Sequence, residues 1–300
     1  MMRRDIGKDT QLQVRMIITL FLLGLVYGSF IYALFSLGAA VPVILVFAIV
    51  LVGVQFMLSN RMVLLSMRAK VVSAEEEPKL HDMVERLAWT ASLPKPRIAL
   101  SRMAVPNAFA TGRSAKSATV AVTTGLQELL TDREMEAVLA HEISHIKHRD
   151  MEVMTYASFF AVVASTLMSM FFWMGLFGGF SGRGSRQGGG NIMMMAYMIT
   201  IVVWLVSQLL LAALSRYREF AADRGAAILT GRPADLASAL TRISGTIARV
   251  PKDDLRKAAS MNAFFILPAI GGGLANLFAT HPKVTKRIEQ LRAIEAAMGL

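Results

Sequence analysis

Charge-free apolar runs dominate the pattern along the chain. Met16 to Leu37, Val41 to Leu58, Thr155 to Phe180 and Ile192 to Leu214 contain no Asp, Glu, Lys or Arg. A bilayer-spanning helix needs roughly 17–25 mostly apolar residues, so four membrane-crossing helices are expected. A buried core helix suits a run of about 12 residues better. The first run is followed by small residues, Gly38 to Ala40, as a signal peptide would be. It is nevertheless longer than the roughly 7–15 apolar residues of such a peptide, which favours a retained helix.

Between the runs the pattern becomes amphipathic. Leu80, Met83, Val84, Leu87, Ala88 and Ala91 recur at helical spacing, and Pro94 and Pro96 end that helix. Short β-type runs follow at Arg97 to Leu100 and Ala118 to Val122. Thr131 with Glu134 predicts a capping box for the next helix. Residues 233–249 and 283–296 predict two further amphipathic helices, the first with Leu236, Leu240, Ile243 and Ile247 on one face. No internal repeat is present. The expected organisation is an N-terminal transmembrane hairpin over 1–58, a folded part over 59–154, a second hairpin over 155–214 and a C-terminal part over 215–300.

Composition narrows the class. The chain has 300 residues, 54% hydrophobic and 18% charged, against about a quarter charged in a soluble domain. Disorder is excluded on this composition. The absence of cysteine excludes disulfides, thiolate metal sites and a cysteine nucleophile. His, Asp and Glu remain as metal ligands. The net charge of +11 points first to an anionic membrane face and second to nucleic acid. Its placement follows the positive-inside rule. Arg3, Arg4, Lys8 and Arg15 precede the first run, and the link to the second carries no charge. Arg61, Arg68 and Lys70 follow the second run; Arg216, Arg218 and Arg224 follow the fourth. The Gly-rich link from Ser181 to Asn191 carries only Arg183 and Arg186 and reads as a linker. The N-terminus, 59–154 and 215–300 are therefore expected in the cytoplasm.

The helix predicted after Thr131 contains His141-Glu142-Ile143-Ser144-His145. Four residues are just over one turn, so both imidazoles leave the same face and can grip one zinc ion. Glu142 lies about 100° round the helix, placed to take a proton from a metal-bound water without joining the ligands. With 5 His, chance gives this motif in roughly 0.3% of such chains. The alternative is a solvated helix carrying two His by accident, but Ala140, Ile143 and Ile146 make this helix partly buried. A catalytic zinc usually takes three protein ligands. His148 would crowd the ion from the same short helix and reads as a neighbour or surface residue. Glu219 is the better candidate, with Asp223 one turn on as acceptor for a ligand imidazole. On spacing alone the two equally describe a charged helix end balanced by Arg216 and Arg224. Topology favours the site: two spans separate His145 from Glu219, and an even number of crossings returns the chain to the side it left.

These motifs resemble the HtpX-like family of bacterial and archaeal membrane zinc proteases, gluzincins related to the CAAX prenyl endopeptidases. The resemblance covers nearly the whole chain. It includes Asn107-Ala108-Phe109-Ala110-Thr111-Gly112, similar to the family's segment near the substrate-binding edge strand. It also includes Val122-Thr123-Thr124-Gly125-Leu126, and Thr280-His281-Pro282 followed by Arg287. It implies a mainly α polytopic membrane protein with four transmembrane helices and a cytoplasmic α+β zincin-like protease domain. One zinc ion per subunit is implied at His141, His145 and Glu219, with Glu142 as general base. It further implies that His281 stabilises the oxyanion, that Arg287 orients ligands or carboxylates, and that Asn107 contacts substrate. Read without the family, His281 is a helix-start residue and Asn107 is turn chemistry. The implied function is an endopeptidase in the plasma (inner) membrane, with misfolded or damaged membrane proteins as substrates in protein quality control under stress. Lys252 to Leu277, with Phe264 to Leu267, reads as core packing or as a cleft lining for apolar peptide.

Other classes are weaker. A catalytically inactive scaffold or holdase of the same fold has no need of Glu142. A metal transporter needs ligands within its spans, and all five His lie outside them. Met193 to Met195 suit copper(I), but 20 Met dispersed through apolar runs read as packing. Scattered, juxtamembrane Lys and Arg argue against a nucleic-acid partner.

Overall fold

The computed structural model describes residues 10–36, 61–174, 189–249 and 281–299, with positions 46, 50, 53 and 54. The second expected span therefore lies almost wholly outside the described residues, as do 181–188 of the Gly-rich link and Lys252 to Leu277. The described chain is mainly helical with one small sheet. In order it forms α1 (Thr10–Ser36), β1 (Ala69–Val71), α2 (Pro78–Thr90), β2 (Arg97–Ser101), β3 (Ala108–Thr111) and β4 (Thr119–Thr123). It continues with α3 (Thr124–Leu129), α4 (Asp132–Lys147), α5 (Asp150–Met174), α6 (Gly189–Thr230), α7 (Pro233–Ile247) and α8 (Val284–Ala297). The expected short strands at 97–100 and 118–122 correspond to β2 and β4. β1 was not foreseen, because three residues carry too little alternation to read, whereas β3 lies within the Asn107 to Gly112 segment likened to one near an edge strand.

Two compact units are present, one drawn from 1–13, 59–153 and 212–300 and the other from 14–58 and 154–211. In the first, the sheet order is β1-β2-β4-β3. β2 and β4 are parallel; β1 and β3 join as antiparallel edges. Alternation gives each strand two faces. Ile98, Val120 and Val122 face a core with Leu80, Val84 and Leu87 of α2, Val138, Leu139 and Ile143 of α4, Leu236 and Leu240 of α7, and Leu291 of α8. Ala99, Phe109 and Ala121 face a smaller cluster with Met67. β4 is buried along its whole length, which suits its Thr-Val-Ala-Val-Thr sequence.

Helix α4 starts as predicted. Thr131 Oγ1 accepts from the Glu134 N–H, and Glu134 Oε2 accepts from the Thr131 N–H at 2.9 Å. Glu134 also accepts from Ser238 and Arg242 at 2.7 and 2.8 Å, tying the start of α4 to α7. From Ala137 to Ile146 every residue of α4 is buried, its polar ones included.

The second unit holds the apolar segments. Among the described residues, two helical stretches are long and apolar enough to cross a membrane: Thr10–Ser36 and Met194–Thr230. Leu23, Tyr27, Phe30 and Leu34 of α1 are buried, while Ile17, Phe21, Leu25 and Phe35 are exposed. Ser207 Oγ donates to Tyr27 Oη at 3.3 Å. The third expected span falls in α5, described as far as Met174. Helix α6 holds both the run that ends at Leu214 and Glu219. It runs unbroken for 42 residues, because Ser215 to Thr230 contains no Pro and only one Gly, Gly225, to interrupt it.

The turn from β4 into α3 is the tightest point near the site. The Gly125 N–H donates to Met103 O at 3.0 Å, and a Cβ there would stand 1.9 Å from Ala104 O. Gly125→Ala is expected to cost about 1–3 kcal/mol through forced backbone displacement. A melting temperature several degrees below wild type in purified protein checks this.

Candidate active site

Helix α4 places His141 and His145 on one face, with their Nε2 atoms 3.1 Å apart and their rings crossed at 85°. Glu219 of α6 closes the third side. Its Oε2 lies 3.6 Å from His141 Nε2 and its Oε1 3.5 Å from His145 Nε2. One ligand atom from each of the three residues falls within 4.8 Å of the others. Glu142 is buried beside them, 4% exposed.

Each imidazole has a carboxylate behind it. Asp223, one turn beyond Glu219, has Oδ1 3.0 Å from His141 Nδ1. Asp150, the first residue of α5, has Oδ2 2.6 Å from His145 Nδ1. A guanidinium backs each carboxylate in turn. Arg287 of α8 donates from Nε and Nη2 to Asp223 at 2.8 and 2.6 Å, the bidentate geometry that suits Arg. Arg218 Nε lies 3.2 Å from Asp150 Oδ2. Arg287 is fully buried, and its Nη1 also reaches Glu219 Oε2 at 3.2 Å. His281 places Nδ1 3.2 Å from the same oxygen.

Burial and charge set the protonation states of the metal-free protein. Burial alone would lower the pKa of His141, but its bonds to Asp223 and Glu219 push it up to about 9. Burial would raise Glu219; His281, His141 and Arg287 instead hold it well below the usual carboxylate range. Asp223 is likewise held down by Arg287 against its burial, and Asp150 by Arg218 and His145. Arg287 stays protonated despite burial because Asp223 and Glu219 face it.

The three residues fit a metal ion. Two imidazole nitrogens each about 2.05 Å from one tetrahedral ion stand about 3.3 Å apart, close to the 3.1 Å observed. Glu219 Oε2 is buried and accepts no hydrogen bond, although cationic groups surround it. A buried carboxylate oxygen without a donor is costly unless a cation takes it up. Two imidazoles and a carboxylate form a donor set that binds a single divalent metal.

The structure thus brings together His141, Glu142, His145, Glu219, Asp223, His281 and Arg287 of the expected residues. Asn107 stands at the start of β3, where its N–H and carbonyl bond to Thr123. Arg287, which the resemblance gives as orienting ligands or carboxylates, bonds Asp223, in place of the alternative of a charged helix end balanced by Arg216 and Arg224. His148 caps the C-terminus of α4. Asp150 and Arg218 were missed. The available signal was an Asp five residues after His145, just past a two-residue break between helices.

Comparison with known proteins gives concordant matches. The model of the family described as Peptidase family M48 matches residues 74–295. A protein named Protease HtpX homolog from Moorella thermoacetica is 54% identical over 299 residues, 99% of either chain. Protease HtpX homolog 2 from Methanosarcina acetivorans is 50% identical over 99% of this chain and 100% of its own. Among solved structures, Ste24p from S. mikatae has a similar fold. Its TM-score is 0.53 at 18% identity, over 94% of this chain and 66% of that one.

Two outcomes follow for the metal-free protein. Arg287→Met leaves Asp223 buried without its cation and is expected to cost about 3–5 kcal/mol, read as a lowered melting temperature. Because its folded pKa is raised, His141 contributes stability that is full below pH of about 6.5 and lost as pH rises through about 9. The carboxylates titrate below this window. Chelator-treated protein should therefore melt lower at high pH, and His141→Gln should lack that part of the decline.

Proposed function

The chain belongs to peptidase family M48, and on that footing we propose that this metallopeptidase is a membrane-bound zinc endopeptidase. It hydrolyses peptide bonds of misfolded or damaged membrane proteins at the cytoplasmic face of the plasma membrane. The observation that carries this reading is the buried convergence of His141, His145 and Glu219, with a Glu219 oxygen that no donor satisfies.

These three residues would hold the zinc. When bound, zinc acts as a Lewis acid, lowering the pKa of water toward 7 and polarising a carbonyl oxygen. Glu142 accepts the proton from the attacking water and returns it to the leaving amine nitrogen, so one carboxylate serves as base and then as acid. Its position next to His141 lets it face the water without being a ligand. His281 offers an N–H to the oxygen that gains negative charge as the carbonyl is attacked. Asp223, clamped by Arg287, holds the His141 ring. β3 is an edge strand, suited to pairing with an extended substrate backbone, and Asn107, buried just before it, anchors that edge through its backbone bonds to Thr123.

The membrane assignment is supported by the two described apolar helices and by the exposed Ile17, Phe21, Leu25 and Phe35. With the runs at 41–58 and 155–180 it gives four spans. Arg61, Arg68, Lys70, Arg216 and Arg224 keep the catalytic parts in the cytoplasm. An inactive scaffold has no use for a buried Glu142 next to a complete ligand set.

Glu142→Gln in zinc-loaded, detergent-purified protein is expected to lower casein cleavage by about 10²–10⁴-fold with zinc content unchanged. Glu219→Ala is expected to lose most of its zinc by elemental analysis. Equal cleavage by wild type and Glu142→Gln rejects the base; zinc-loaded wild type that cleaves nothing rejects the peptidase reading.

A further inference from the structure

We propose that Asp150, held by Arg218, is a positioning residue that fixes the His145 ring with Nε2 turned toward the metal. This rests on the zinc reading above and adds to it a second orienting carboxylate, contributed by the helix that enters the membrane segment.

Three observations carry it. First, the His145 Nδ1–Asp150 Oδ2 separation of 2.6 Å is shorter than the 3.0 Å between His141 and Asp223. An imidazole that donates Nδ1–H to a carboxylate keeps the lone pair on Nε2, the form that binds a metal. Second, Asp150 is fully buried, and a carboxylate is kept in such a place only when cations and donors face it. The groups that face it are His145, Arg218 and His148. It also opens α5, where unpaired N–H groups favour negative charge.

Third, the backbone is bent to put it there. Only His148 and Arg149 separate α4 from α5. Arg149 adopts φ of 58°, a left-handed conformation that a non-glycine residue seldom takes. Its N–H still bonds to Ile146 O at 3.2 Å, and its carbonyl accepts from the Glu152 N–H at 3.0 Å. After that turn the Asp150 side chain stands against His145, only five residues back.

Each imidazole has its carboxylate and its cation, Asp223 through two hydrogen bonds from Arg287 and Asp150 through an ion pair with Arg218 at 3.2 Å. His141 leads to Asp223 and Arg287; His145 leads to Asp150 and Arg218. Arg218 is the immediate neighbour of Glu219, so one turn of α6 supplies a ligand and anchors the ring of another ligand.

The test uses full-length protein in detergent, with zinc alone as the probe, in competition with a chelator. Asp150→Asn is expected to weaken zinc binding 10–100-fold and to change the visible spectrum of the cobalt-substituted protein. A purely structural role would lower the melting temperature of the metal-free protein while leaving zinc affinity and the cobalt spectrum as in wild type, and that result overturns the proposal. If Asp150→Asn does not fold, the double variant Asp150→Asn with Arg218→Gln removes the buried charges together. It should fold and bind zinc 10–100-fold more weakly; affinity within threefold of wild type overturns the proposal. Wild-type protein that binds no zinc would overturn the underlying zinc reading instead.

Discussion

Everything at the site depends on keeping charged groups out of water in balance. Glu142, Glu219, Asp223 and Asp150 bring four carboxyl groups into the interior, and Arg218 and Arg287 face them with two positive charges. Uncompensated burial of even one such charge costs several kcal/mol. In the metal-free protein a protonated His141, its pKa raised to about 9, adds a further positive charge. When a divalent cation binds, the imidazole must give up that proton to become a ligand. Metal loading and proton release are therefore two ways of meeting the same electrostatic demand.

The fold meets that demand by bringing distant segments against one buried helix. α4 is apolar where it meets α2, the sheet and α7, and carries its polar residues where it meets α6 and α8. The Thr131–Glu134 box starts the helix in the right register, and Ser238 and Arg242 lock that start to α7. α6 passes from an apolar stretch to Glu219 and Asp223 without a break. Its ligand is thus carried on a rigid rod instead of a loop. Rigid placement matters because a ligand set displaced by a fraction of an ångström loses its geometry.

Some of this could be read along the chain. The capping box, the amphipathic face of α2 and the one-turn spacing of His141 and His145 are local patterns, set by residues at most four apart. Asp223 was legible by the same rule, as the residue one turn from Glu219. Asp150 was not. Its role depends on a left-handed Arg149 that doubles the chain back, and no propensity favours that conformation in an arginine. The edge strand β1 was equally silent, since three residues pair only because a longer neighbour stands beside them.

By itself, then, the sequence determined the chemistry available: two imidazoles on one helix face, carboxylates elsewhere to join them, no thiols, and apolar runs too long for an ordinary core. It also determined where helices begin, because caps and prolines act on their immediate neighbours. The tertiary structure alone decided that Asp150 stands behind His145 with Arg218 facing it, and that Asp223 is the carboxylate Arg287 bonds. The physical reason is range. Helix geometry fixes neighbours within a turn, whereas partners dozens of residues apart are selected by packing and by the cost of leaving a buried charge unpaired.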